Sequence, residues 1–150
     1  MSTDPDRNTY VYVTYIRTTP ERLWEALTSA DWMRRYWFGM HAQSTFTAGA
    51  PWKLVFADGR VADTGEVLEA DPPRRLVLKW RNEFREELRA EGYSHCVMEL
   101  VPEAGAVRLT ITHSIARPGV RFVEAISGGW PKVLSNLKSL LETGEAALAG

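Results

Sequence analysis

The sequence has a single cysteine, Cys96, so no intrachain disulfide and no cysteine-based zinc site can form. Its three histidines, His41, His95 and His113, stand in no short metal-ligand spacing, and no carboxylate pair flanks them. Neither metal nor cofactor is expected. Charge of one sign is also missing: 18 Lys+Arg face 19 Asp+Glu, a net charge of −1, which excludes a strongly basic nucleic-acid binder. No apolar run approaches the ~18 residues of a membrane span. The opening Met1-Ser2-Thr3-Asp4-Pro5-Asp6-Arg7 lacks the basic-then-apolar order of a signal peptide, so the expected location is the cytoplasm. The serine-hydrolase elbow, the phosphate-cradling loop and the dinucleotide-binding glycine pattern are all absent. Cys96 has no activating base in its local sequence and reads as a small buried hydrophobe.

What is present is a globular composition, 45% hydrophobic and 25% charged over 150 residues, the size of one domain. Six tryptophans, at positions 24, 32, 37, 52, 80 and 130, are spread along the whole chain. Residues 1–8 read as a loose lead-in. Tyr10–Arg17, β-branched and aromatic, predicts a strand. Thr19-Pro20-Glu21 is a helix start, and Leu23, Trp24 and Leu27 share one face of the short helix behind it. Ser29 and Asp31 offer the cap of a second short helix, which Gly39 would end.

The period then changes to two. Trp52–Phe56, Val61–Ala70, Leu76–Trp80, Ser94–Val101 and Ala106–Ile115 predict strands joined by short turns, an antiparallel meander. Residues 42–47 are a weaker candidate, and Gly65 marks a candidate bulge. Residues 81–92 read either as a solvated hairpin connection or as a lid over one end of the sheet. Over Val120–Thr143, Phe122, Ile126, Trp130, Val133, Leu134, Leu137, Leu140 and Leu141 form one apolar helical stripe. Ser127-Gly128-Gly129-Trp130-Pro131 interrupts it, at a cost of about 3–5 kcal/mol in helix propensity. Two helices meeting there, or one kinked helix, would both satisfy the pattern.

Alternation sends Leu109, Ile111 and His113 to the same face as Cys96, Met98 and Leu100, and sends His95 to the other. His113 therefore reads as a structural histidine, a hydrogen-bonding group for a ligand, or a general base. Glu66, Glu69 and Glu99 read as outward solvating charges. The elements that carry Trp37, Trp52, Trp80 and Trp130 converge on the concave side of the sheet, where the rings either fill the core or line a pocket.

The order strand, two short helices, strands, long helix resembles the START-like helix-grip (SRPBCC) superfamily. Within it, the chain resembles the activator of heat-shock-protein-90 ATPase homologue group. The resemblance rests on residues 15–28, Arg35-Tyr36-Trp37-Phe38-Gly39, Gly65-Glu66-Val67-Leu68-Glu69, Asp71-Pro72-Pro73-Arg74-Arg75-Leu76, Leu109-Thr110-Ile111-Thr112-His113, and Gly129-Trp130-Pro131 with the leucines after it. It implies an α+β fold in one domain, 1–150, with a curved antiparallel sheet of six or seven strands wrapped around the C-terminal helix. It also implies an apolar small molecule held between sheet and helix. On that expectation the ligand-contacting residues are Trp37, Trp52, Trp80, Met98, His113, Phe122, Ile126 and Trp130, with no catalytic residue. A cyclase or hydrolase using the same cavity is the alternative. Small bacterial relatives suggest stress or detoxification roles, and a homodimer is compatible with the group. The eukaryotic namesake acts on a chaperone through an additional N-terminal domain for which 150 residues leave no room, so a chaperone partner is not expected.

Overall fold

In the computed structural model, which describes residues 8–116 and 120–148, seven strands form one antiparallel sheet. The chain runs β1 (Thr9–Ile16), α1 (Pro20–Thr28), α2 (Ala30–Tyr36), β2 (His41–Gln43), β3 (Pro51–Val55), β4 (Val61–Asp71), β5 (Arg75–Asn82), α3 (Glu86–Arg89), β6 (Ser94–Glu103), β7 (Ala106–Ile115) and α4 (Val120–Thr143). The sheet order is β1-β7-β6-β5-β4-β3-β2, so β1 closes against the last strand and the rest is a meander. This is the α+β arrangement expected. Most of the predicted lead-in, residues 1–7, lies outside the described residues.

Local chemistry sets the helix ends. The Thr19 hydroxyl accepts the Arg22 N–H at 3.2 Å, and Pro20 follows in the first turn, where its missing N–H costs nothing. α2 begins after Ser29, which makes no side-chain capping bond; Asp31 lies in the first turn and pairs with Arg34. Trp37, not Gly39, is the C-cap residue, and Phe38 and Gly39 then reverse the chain with positive φ angles. The weak candidate at 42–47 reduces to His41–Gln43.

Two expectations change at β3 and β4. Gly65 is not a bulge. It stands opposite Trp80, where an added Cβ would lie 1.7 Å from the Lys79 carbonyl oxygen, so glycine is needed for close strand approach. The register shift on β4 falls instead between Val67 and Glu69, turning Leu68 outward. A second shift, at Leu54/Val55, ends β3 early; Phe56 leaves the face of Trp52 and Leu54 and meets Phe84 edge-on at 5.1 Å.

α4 runs unbroken through Pro131, so the interrupted stripe is one helix. Phe122, Trp130, Val133, Leu134, Leu137, Leu140 and Leu141 are buried along it. Inward residues of β5, β6 and β7 meet them: Leu76 and Leu78, Cys96 and Met98, Leu109 and Ile111. Asn136 is a polar residue inside this stripe, 1% exposed. Its amide donates to the carbonyls of Tyr36 and Leu148 and accepts the Leu148 N–H at 2.6 Å.

Candidate functional site

A partly open cavity of about 260 Å³ lies between the sheet and the first half of α4. Leu54 on β3, Asp63 on β4, Trp80 and Asn82 on β5 and His113 on β7 form its sheet side. α4 contributes Phe122, Ile126 and Trp130. Trp37 and Met40 after α2, with Phe84, Arg85 and Leu88 after β5, complete most of the lining. Gly129 also faces it and, like Gly128, has open space where a Cβ would stand.

Six of the eight residues named from the sequence therefore meet here: Trp37, Trp80, His113, Phe122, Ile126 and Trp130. Trp52 and Met98, 2% and 4% exposed, are not part of the lining. Trp52 packs on Trp80 with ring centroids 4.6 Å apart, one layer further into the core. Trp37, Trp80 and Trp130 form a triangle with centroid separations of 5.4–6.1 Å. Trp37 and Trp80 each meet Trp130 edge to face, the geometry that aromatic quadrupoles favour.

His113 is 1% exposed and has both ring nitrogens occupied. The Trp130 indole N–H donates to Nδ1 at 3.1 Å, which fixes the ring proton on Nε2. That N–H donates to the Ser94 hydroxyl at 2.8 Å, and the hydroxyl donates to the Trp80 carbonyl at 2.8 Å. Ser94 and His113 occupy diagonal positions on β6 and β7, which brings them within reach on the inner face. Burial, with a smaller contribution from the charge of His95, pushes His113 down to about 3. The ring is thus a neutral linker between helix and sheet, with no proton to exchange near neutral pH and no vacant hydrogen-bonding nitrogen. His95 is on the opposite, exposed face. Cys96 is fully buried, and burial raises its thiol further from the reactive thiolate.

Asp63, on β4, belongs to the same wall and is not among the residues expected there. It is 6% exposed, on the cavity wall, with the Trp80 indole and the Asn82 amide as its neighbouring neutral donor groups. Burial pushes it up to about 7 against the pull of those two donors, and the negative charge of nearby Glu83 adds to the rise. Asn82 is held in orientation because its carbonyl oxygen accepts the Arg85 N–H at 2.8 Å, leaving the amide N–H₂ to donate. A signal existed: Asp63, Gly65 and Val67 share strand parity, and Val67 is wholly buried. Among the described residues no group of three His, Cys, Asp or Glu side chains could hold a metal ion, and no helix is long and apolar enough to cross a membrane.

A curved antiparallel sheet closed over one long helix, with an apolar cavity between them, defines a START-like helix-grip protein. Residues 17–142 match the family described as Activator of Hsp90 ATPase homolog 1-like protein, and the chain belongs to that family. Among solved structures it is similar to protein MLL2253 from Mesorhizobium loti, with TM-score 0.76 and 25% identity over 89% of this chain and 96% of that one. It is also similar to the Aha1 dimer from Colwellia psychrerythraea, with TM-score 0.74 and 19% identity over 92% and 98% of the two chains. A third likeness is to PFC0360w, an HSP90 activator from Plasmodium falciparum, with TM-score 0.72 and 24% identity over 90% and 96%. Against curated proteins no similarity reaches significance.

Proposed function

We propose that the protein binds a hydrophobic or aromatic small molecule in the cavity between the sheet and α4, without turning it over. The observation that carries this reading is the cavity itself. Its 260 Å³ borders the range of small-ligand pockets, and Trp37, Trp80, Phe122 and Trp130 present rings to it. A packed core would have closed such a space, because each unfilled methyl-sized void costs about 1 kcal/mol. The reading places the protein in the cytoplasm, in a stress or detoxification setting, and is compatible with a homodimer. A cyclase or hydrolase built on His113 finds less support, since both nitrogens of that ring are engaged. The likeness to the Plasmodium protein, at 24% identity, is a likeness of fold.

The test uses 4-nitrotoluene, a neutral aromatic that quenches indole fluorescence on contact. The wild-type chain should show saturable quenching. Ala125→Phe, which places a ring in the space beside Ile126, should weaken that response about tenfold or more while the protein stays folded. Quenching that never saturates, or that is indifferent to the filled cavity, would remove the binding reading.

A further inference from the structure

The wall that holds the rings also holds one acid. Among the residues lining the cavity the charged or titratable groups are Asp63, Arg85 and His113. His113 is neutral and saturated by Trp130 and Ser94. Arg85 is exposed and its guanidinium donates to Glu87 at 2.8 Å. Glu83, the neighbouring acid, is paired with Arg81 at 2.6 Å and with Arg89 at 3.2 Å. Asp63 has no such counter-charge among its partners, which are the neutral donors Trp80 and Asn82. A carboxylate has about four acceptor sites, more than those two neutral donors can fill.

Two physical arguments give the sign of what belongs there. A buried carboxylate without a cation is costly, and a cation that enters the cavity removes that cost. Trp37, Trp80 and Trp130 are in the lining, and the face of an aromatic ring attracts a cation rather than an anion. The apolar remainder, Leu54, Phe122 and Ile126, suits a hydrocarbon body. We propose that Asp63 is the anchoring anion of this cavity and that its ligand is an arylalkyl or similarly hydrophobic primary amine, bound as the cation with its body against the tryptophans. This assignment rests on the binding reading above and narrows it to a ligand class.

The probes are 2-phenylethylamine, a cation at pH 7.5, and 2-phenylethanol, its neutral analogue of nearly the same size. Each is titrated calorimetrically into the full chain, with 3-phenylpropanoate as the anion. The amine should bind about tenfold or more tightly than the alcohol, the scale of a hydrogen bond to a charged group. The carboxylate should bind weakest. Asp63→Asn, nearly equal in size and without the charge, should remove the preference for the amine over the alcohol. A wild-type protein that binds alcohol and amine alike overturns the assignment without recourse to any variant. So does an Asp63→Asn protein that keeps the preference. If 4-nitrotoluene binds while the amine shows no advantage, only the ligand class falls; if neither 4-nitrotoluene nor any of the three probes binds, the cavity reading falls with it.

Discussion

Asp63 and His113 sit in the same cavity wall and titrate in opposed senses. The Asp63 carboxyl ionises near 7 in the folded protein and near 3.9 in an unfolded chain. From about pH 4 to 7 the unfolded chain has lost its proton while the folded one keeps it, so rising pH weakens folding through that window. His113 ionises near 3 when folded and near 6.5 when unfolded. As pH falls from about 6.5 to 3, the unfolded chain takes up the proton first, so falling pH weakens folding there. Between about pH 4 and 6.5 the two slopes oppose one another. Asp63→Asn removes one of them, and its stability relative to wild type should climb with pH by up to about 1.4 kcal/mol per unit before levelling above 7. Urea unfolding at pH 4, 5.5 and 8 measures this, and an advantage that does not grow with pH would mean the carboxyl is not buried as described. His113 was legible from strand parity with Leu109 and Ile111; its saturation was not, because Ser94 and Trp130 reach it only through the sheet register and the placement of α4. Asp63 was hidden by its neighbours: Thr64, Glu66 and Glu69 make the strand read as solvated, and a carboxylate at an inward position contradicts the rule by which core positions are read.

At the scale of elements, α4 was the clearest feature in advance, and its interruption the least clear. The apolar spacing from Phe122 to Leu141 is carried by one helix, so tertiary contacts override the local cost of Gly128, Gly129 and Pro131. Gly128 is exposed and open to a Cβ, so nothing in the packing requires glycine there. Gly128→Ala should stabilise the protein by about 1 kcal/mol, raising the melting temperature by roughly 2–4 °C. A differential scanning measurement that finds a loss instead would show that the helix needs the slack at this point. The short elements were harder to read, since β2 has three residues and α3 four, too few for a period to declare itself. Phe84 and Leu88 are four residues apart, the spacing of one helical turn, yet only Leu88 belongs to α3, and Phe84 stands edge-on to Phe56.

Over the whole molecule, the meander was legible because turn residues recur at short intervals between alternating runs. The pairing of β1 with β7 was not, since nothing in Tyr10–Arg17 names its partner. That pairing encloses α4, which packs against β1 and α2. We expect one cooperative unit, with α4 indispensable to it. Seven large side chains of α4 are buried, each worth about 1.5–3 kcal/mol, against a total stability of about 5–15 kcal/mol. A chain ending at residue 118 should show no cooperative melting by circular dichroism; a sharp transition in that fragment would separate the sheet from the helix as a folding unit.

The indole N–H of Trp130 gives α4 a clock. It is shut away from solvent and held by a nitrogen of the facing strand, so a deuteron can replace its proton only while the helix stands off the sheet. Its exchange lifetime is therefore an upper limit on the interval between separations of helix and sheet at this point, and a guest that must pass between the two waits no longer than that for an opening.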